Sequence, residues 1–567
     1  MKKNLNMQTL FIIFFFNIFF NTTLGFSKEV NIYKKELISN YFNGILSSKN
    51  KNYPKAIKYF NNSKELKHFH KQYLKELILA QIYDGKILQA AYQVENSDNN
   101  LSNFYESNLL TGLLALSKEN YKLASQKFNL IIKNKNLYNI DQFVATVLLN
   151  YTNVFKEKKI NRSKISSKIS QSFDEINKIQ DVFIGCYLDK NNANQSFLDL
   201  VGLNGNENKR YVYFYINYLI SKNKLIEAEQ FIKKNNDTLN YNLILKQTKN
   251  WVINKNFKQI TKIFNCKNHN DLIGEFLYLI ASIYSSEEIF DKSNFYLNLS
   301  LYLNPKFIFN NVLKASNLFD NEQYTEAEKI YQSYNKKNTI YYWHSIKKLS
   351  YINSKLKNDK IAIQHMEKNF KKINNPTIDV ILDLANFFKN YENYEQAIKY
   401  YSKTLKMTEE NSPLYAKILF RRGASYERIG QWDLSDKDLL KSLEINSSDP
   451  HVLNYLAYSW IERDYKLEKS MNMLKEAYRL KPNDPYIIDS IGWAYYLYGK
   501  FEIAERYLKE AVELMPLDPI VNDHYADILW KLNKNLQATY TWNYVLSLEN
   551  LESEIRKKIE KKIIFGI

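Results

Sequence analysis

Cysteine is nearly absent from this chain. Cys186 and Cys266 are the only two in 567 residues, 80 positions apart, so there is no disulfide framework and no paired-cysteine metal motif. The spacing favours two buried thiols, with one long-range bridge as the alternative. Glycine (13) and proline (9) are also scarce, which argues against sheet-rich and loop-rich folds, because their turns consume both. Helices with short connections are left. The sequence has no glycine-rich phosphate loop and no GxSxG nucleophile elbow. The seven histidines are scattered. His68 and His70 form an HxH without a third ligand nearby, and His524 follows Asn522-Asp523 in a helical stretch, where a structural role is expected. Neither a catalytic, a cofactor-binding nor a metal site is read, and an enzyme is not expected.

Long apolar runs are missing too, with one exception. "TLFIIFFFNIFF" (9–20) follows two lysines and precedes the small residues of "NTTLGFSK". A dozen apolar residues are short for a bilayer span, and the layout is that of a secretory signal peptide over 1–27. An uncleaved inner-membrane anchor at 9–25 is the alternative. Either way the bulk is expected in the periplasm or associated with the cell envelope. The net charge is +19, which raises the question of a nucleic-acid or anionic-membrane partner. From Ala416 onward, however, the chain is near neutral. The excess lies earlier, among abundant Lys, Asn, Ile and Tyr, and export would remove nucleic acid as a partner.

What the sequence does contain is a period of 34 residues. From Pro485, Gly492 is position 8, Tyr495 position 11, Ala504 position 20, Leu508 position 24, Ala511 position 27 and Pro516 position 32. One step forward, from Pro519, Ala526, Ala538 and Trp542 take positions 8, 20 and 24. One step back, from Pro450, Ala457 takes position 8. A one-residue insertion then brings in Ser470, Leu474, Ala477 and Pro482. Further units begin near Ala416, Ile378, Trp343, Ile308, Gly274 and Lys209, and at Tyr105, Lys71 and Leu37. Position 20 is Ala or Ser throughout, and position 24 is always large and apolar. Small residues let two helix axes approach to about 8–10 Å, and the large one fills the space beside the crossing.

This pattern resembles the tetratricopeptide (TPR) repeat. The resemblance implies an all-α solenoid, a right-handed superhelix of helix-turn-helix repeats following the signal peptide. The expected layout is N-terminal repeats over 28–135, a degenerate helical segment over 136–273, a C-terminal array over 274–550 and a capping helix over 551–567. The basic, serine-rich "KEKKINRSKISSKISQSF" lies in the degenerate part, as a loop or a decayed helix pair. A narrower resemblance rests on "RRGASYERIGQW" (421–432), "LNYLAYSW" (453–460), "DSIGWAYY" (489–496) and "NDH" (522–524). These are similar to long exported TPR proteins of Gram-negative, alphaproteobacterial type.

In the family, positions 2, 5, 9, 12 and 13 of each first helix line a concave groove. Carried over, the C-terminal groove presents Asn454 and Tyr458, then Asp489, Trp493 and Tyr496, then Asp523, Asp527 and Trp530. Aromatic rings interleaved with carboxylates suit a basic or hydroxyl-rich partner segment. Packing between neighbouring repeats is the competing role for the same side chains. The repeats, the export signal and the absent catalytic motifs together lead to the expectation of a protein-protein interaction scaffold of the envelope, binding partner proteins or peptides along its grooves, with envelope or secretion-system assembly as one role it could serve. The alternative is an accessory protein holding cell-wall or surface polysaccharide on its aromatic-acidic groove.

Overall fold

A computed structural model describes residues 35–68, 70–160, 173–202, 207–235, 242–334, 339–549 and 551–567. The expected signal peptide and most of the basic, serine-rich stretch (161–172) lie outside the described residues. Every regular element among the described residues is a helix. None of those helices is long and apolar enough to cross a membrane. The chain divides into two compact units, Met1–Tyr341 and Tyr342–Ile567.

The 34-residue register appears directly as packing. The twelve position-20 residues, from Ala56 through Ala228 and Ser435 to Ala538, are all fully buried. Their position-24 partners, such as Phe60, Tyr401, Leu474 and Trp542, are buried beside them. At four units position 8 is glycine because of what faces it. A Cβ on Gly112 would lie 2.5 Å from Phe128 Cε1, one on Gly44 2.6 Å from Phe60 Cε1, and one on Gly492 2.8 Å from Leu508 Cγ. Gly423 meets Leu439 at 3.0 Å. In each case position 24 of the second helix sits against position 8 of the first.

Few glycines are available for the turn inside each pair, and other residues take its left-handed conformation. Position 15 has positive φ at Lys51, Gly85, Glu119, Asn223, Glu288, Glu322, Glu392, Gly430, Asp464, Gly499 and Asn533. Only three of these are glycine, so most turns carry a side chain where its Cβ is unfavourable. Between pairs, the Asp-Pro steps begin helices. Asp449, Asp484 and Asp518 each accept two backbone N–H groups of the helix they precede, with proline in the first turn.

In the first unit, helix pairs run from Lys35–Lys49 with Tyr53–Asn62 to Tyr105–Ser117 with Tyr121–Lys133. The segment without a clean repeat holds helices Asn139–Glu157, Asp174–Tyr187 and Ala193–Gly202, so its described part is helical. Later pairs follow, among them His269–Ser286 with Phe290–Leu303. The helix Phe290–Leu303, "FDKSNFYLNLSLYL", is buried on all sides from Ser293 to Ser300, with its polar side chains Ser293, Asn294, Asn298 and Ser300 inside the core. It packs back onto the early repeats. Asn298 Nδ2 donates to the Ile82 and Tyr83 carbonyls at 2.9 and 3.0 Å, and the Tyr105 and Tyr296 hydroxyls meet at 2.6 Å. One continuous apolar core therefore runs from Leu74 in helix Lys71–Tyr83 to Tyr341.

The reading of two separate buried thiols is corrected. Cys186, at the end of Asp174–Tyr187, and Cys266, in the connection before His269–Ser286, are joined in a disulfide. Their Cα atoms lie 6.0 Å apart, within the reach of such a bond. Chain folding closes an 80-residue gap that spacing alone argues against.

The second unit stacks helix pairs up to Pro519–Lys531 with Asn535–Ser547, then ends on Ser553–Phe565. Ser553 falls 34 residues after Pro519, so this last helix continues the register as half a repeat. Its position 8 is Glu560, exposed where a second helix would otherwise cover a small residue.

Candidate partner-binding groove

The stripe predicted from sequence lies on successive first helices of the second unit: Pro450–Glu462, Pro485–Leu497 and Pro519–Lys531. The structure brings its members together and connects them from one repeat to the next. Asp489 is buried, and both its carboxylate oxygens lie 3.0 Å from His524 Nδ1 on the following helix. Burial alone would lower the pKa of His524. The Asp489 carboxylate, helped by Asp523 and Asp527, overrides that and raises it. Trp493 stacks on His524 at 4.1 Å and on Tyr496 at 4.5 Å, both nearly parallel. Its indole N–H donates to Glu462 Oε1 at 2.7 Å.

The far end of the stripe is covered by the half repeat. Lys562 Nζ donates to Asp523 at 2.7 Å and to both oxygens of Asp527 at 2.7 Å. Lys558 adds an ion pair to Asp523 at 3.2 Å, and the Trp542 indole N–H donates to the same carboxylate at 3.1 Å. Burial pushes the Asp523 carboxyl up, but the Lys562 ammonium reverses this and holds it below the usual range. Trp530 lies 5.5 Å from Trp542, and Gly566 approaches it so closely that a Cβ would meet Trp530 Cζ2 at 2.6 Å. Asp523, Asp527 and Trp530 are thus held by helix Ser553–Phe565 and by Gly566 just after it.

The near end is less occupied. Asn454 is half-buried, and its Oδ1 is shielded from solvent without a hydrogen-bond partner. Tyr458, one turn further on, is also half-buried. Burial first, then Glu462 and Asp489, push its phenol pKa up, so it remains a neutral donor. Glu427 on the preceding helix accepts from the Tyr455 hydroxyl at 2.9 Å. On the same face, Tyr486 and Ile520, at position 2 of their units, and Leu497, at position 13, are exposed.

Part of the chain is similar in sequence to a curated protein. The TPR repeat-containing protein PA4667 of Pseudomonas aeruginosa is 27% identical over 146 residues, 26% of this chain. The helix pairs of this chain resemble tetratricopeptide repeats. This chain spans only about a quarter (24%) of that relative's length. No family model matches the chain. Among solved structures, a thermophilic TPR protein of Thermus thermophilus, TTC0263, covers 33% of this chain with all of its own length, at 16% identity and a TM-score of 0.30. PilF of Pseudomonas aeruginosa covers 33% with 85% of its own length, at 20% identity and a TM-score of 0.28.

Within the 34-residue register, three participants escape a residue-by-residue reading of the stripe. Glu462 at position 13 orients Trp493. Lys558 and Lys562 come from a helix recognisable in sequence only as a cover. The signal was present, because one more 34-residue step puts Lys558 at position 6, the place His524 holds one repeat earlier. His70, part of the HxH, caps helix Lys71–Tyr83 by accepting from Tyr73 N–H at 2.9 Å.

Proposed function

We propose that the protein is an exported interaction scaffold that binds a protein or peptide partner in the groove of its second unit, at the Asn454–Tyr458 end. The observation that carries the proposal is the unfilled Asn454 Oδ1, one helical turn from Tyr458, whose phenol feels the carboxylates of Glu462, Asp489 and Glu427. A buried acceptor without a donor costs about 1–3 kcal/mol. A partner chain supplying N–H or ammonium groups would remove that cost and suit Glu427 and Glu462. The groove therefore favours a basic or hydroxyl-rich segment. A role in envelope or secretion-system assembly fits this reading.

Two features support export. The N-terminus is laid out as a signal segment, and disulfides such as Cys186–Cys266 persist in oxidising compartments. Polysaccharide binding is less well supported, because sugar stacking needs a free ring face. Trp493 stacks on Tyr496 and His524, and Trp530 packs against Trp542 and Gly566.

The test is affinity capture from envelope extracts with the full chain and the Asn454→Ala/Tyr458→Ala variant. These positions are better probes than Asp489, whose loss would disturb the packing of His524. Capture of one specific partner, lost in the variant while thermal unfolding is unchanged, is the expected result. Equal capture by the variant would remove this end of the groove from the account.

A further inference from the structure

The first unit contains a cavity of about 310 Å³ where the core-filling helix Phe290–Leu303 meets the early repeats. That volume is at the small end of the ~300–1,000 Å³ typical of ligand pockets. Tyrosine rings form much of its wall. Tyr105 and Tyr296 join through their hydroxyls, Tyr83 packs edge-on against Phe295, and Tyr138 stands exposed at the rim.

Charges of both signs line the same space. Asp141 is buried in the first turn of Asn139–Glu157, and burial raises its pKa despite the opposing pull of Lys292. Glu106 shares one carboxylate oxygen with Lys75 at 3.3 Å, while the other, Oε2, is shielded from solvent without a hydrogen-bond partner. The Lys292 ammonium lies over the Tyr138 and Tyr284 rings, at 5.2 and 5.3 Å.

From this arrangement we infer that the cavity binds a free zwitterionic molecule of amino-acid size with an apolar or aromatic side chain. The ammonium would lie at Glu106 and Asp141, the carboxylate at Lys75 and Lys292, and the side chain against the tyrosine rings. A neutral apolar ligand would leave the buried Glu106 oxygen without a donor, a penalty of the unmade hydrogen bond. A simple anion would face two carboxylates, and a simple cation two lysines. Only a ligand carrying both charges answers the whole lining. This inference concerns the first unit and is independent of the partner groove in the second.

The test is calorimetric titration of the full chain with each standard L-amino acid. For an amino acid that binds, the analogue without its carboxylate and the analogue without its amine are titrated as well: for phenylalanine, phenethylamine and 3-phenylpropionate. One or more amino acids should bind saturably at one site, with both analogues about tenfold weaker or worse, as loss of a charged hydrogen bond predicts. Lys292→Met, at an exposed position, should weaken binding by a similar factor without shifting thermal unfolding. Asp141→Asn should do the same for the ammonium side. Absence of binding across the panel would overturn the inference, as would an amine or acid analogue binding as well as the whole amino acid.

Discussion

His524 Nδ1 lies 3.0 Å from both carboxylate oxygens of Asp489, one repeat earlier in the chain. The folded pKa of His524 is raised above its ordinary value, and the sign of the pH effect follows. A group with a raised folded pKa stabilises fully below its unfolded pKa of about 6.5. That contribution is lost as pH rises through the folded value. Asp523 and Asp527 reinforce Asp489, while Lys558 and Lys562 neutralise part of their charge. The urea midpoint of the second unit should therefore fall with rising pH above about 6.5, and His524→Gln should flatten the dependence. Tryptophan fluorescence reports the transition well, because six of the seven tryptophans lie beyond Tyr342. An unchanged pH slope in the variant would contradict the assignment.

Lys562 is the countercharge for two buried aspartates. Lys562→Met should cost about 3–5 kcal/mol, because Asp523 and Asp527 would be left buried without their main partner. Adding Asp523→Asn and Asp527→Asn should recover much of the loss. Equilibrium urea unfolding of the single and triple variants measures both steps.

The glycines at position 8 are predicted to be sites of steric exclusion. Gly112→Ala should destabilise the first unit by about 1–3 kcal/mol, since Phe128 is fully buried and has little room to yield. Combining it with Phe128→Leu gives the pairing found at Ala281 and Leu297, and should restore part of the stability. Circular-dichroism melts of the three proteins decide the point.

Left-handed turns built from charged residues should respond to glycine. At Glu288, φ is +58°, and Glu288→Gly should raise stability by up to about 1 kcal/mol by removing Cβ strain. A melting temperature that does not rise would mean that local hydrogen bonding outweighs the strain.

The disulfide should matter to the first unit. Cys186→Ser/Cys266→Ser should lower its stability by about 2–4 kcal/mol, because the unfolded chain regains the freedom of an 80-residue loop. Unreduced protein should take up no maleimide, and reduced protein should take up two.

These predictions rest on features that differ in how far the sequence reveals them. Ala56, Ala228 and Ser435 mark helix crossings because a repeat specifies contacts between neighbours, and neighbour contacts recur at a fixed step. Asp489, Trp493 and Asp523 fall on one face for the same reason. The closure of the first unit by Phe290–Leu303 is different. Its contacts to Ile82 and Tyr105 span about two hundred residues and arise from tertiary packing that no period encodes. Cys186 and Cys266 likewise meet through tertiary packing across 80 residues. Lys562 lies between the two cases: its register was legible, but its reach to Asp527 needed the geometry.

The most direct measurement of the central claim is photocrosslinking in living cells with a benzoylphenylalanine at Tyr458. The account predicts a crosslink to one specific envelope protein, absent when the reactive residue is placed at buried Trp542. A Tyr458 probe that captures nothing, or captures only cytoplasmic proteins, would contradict it.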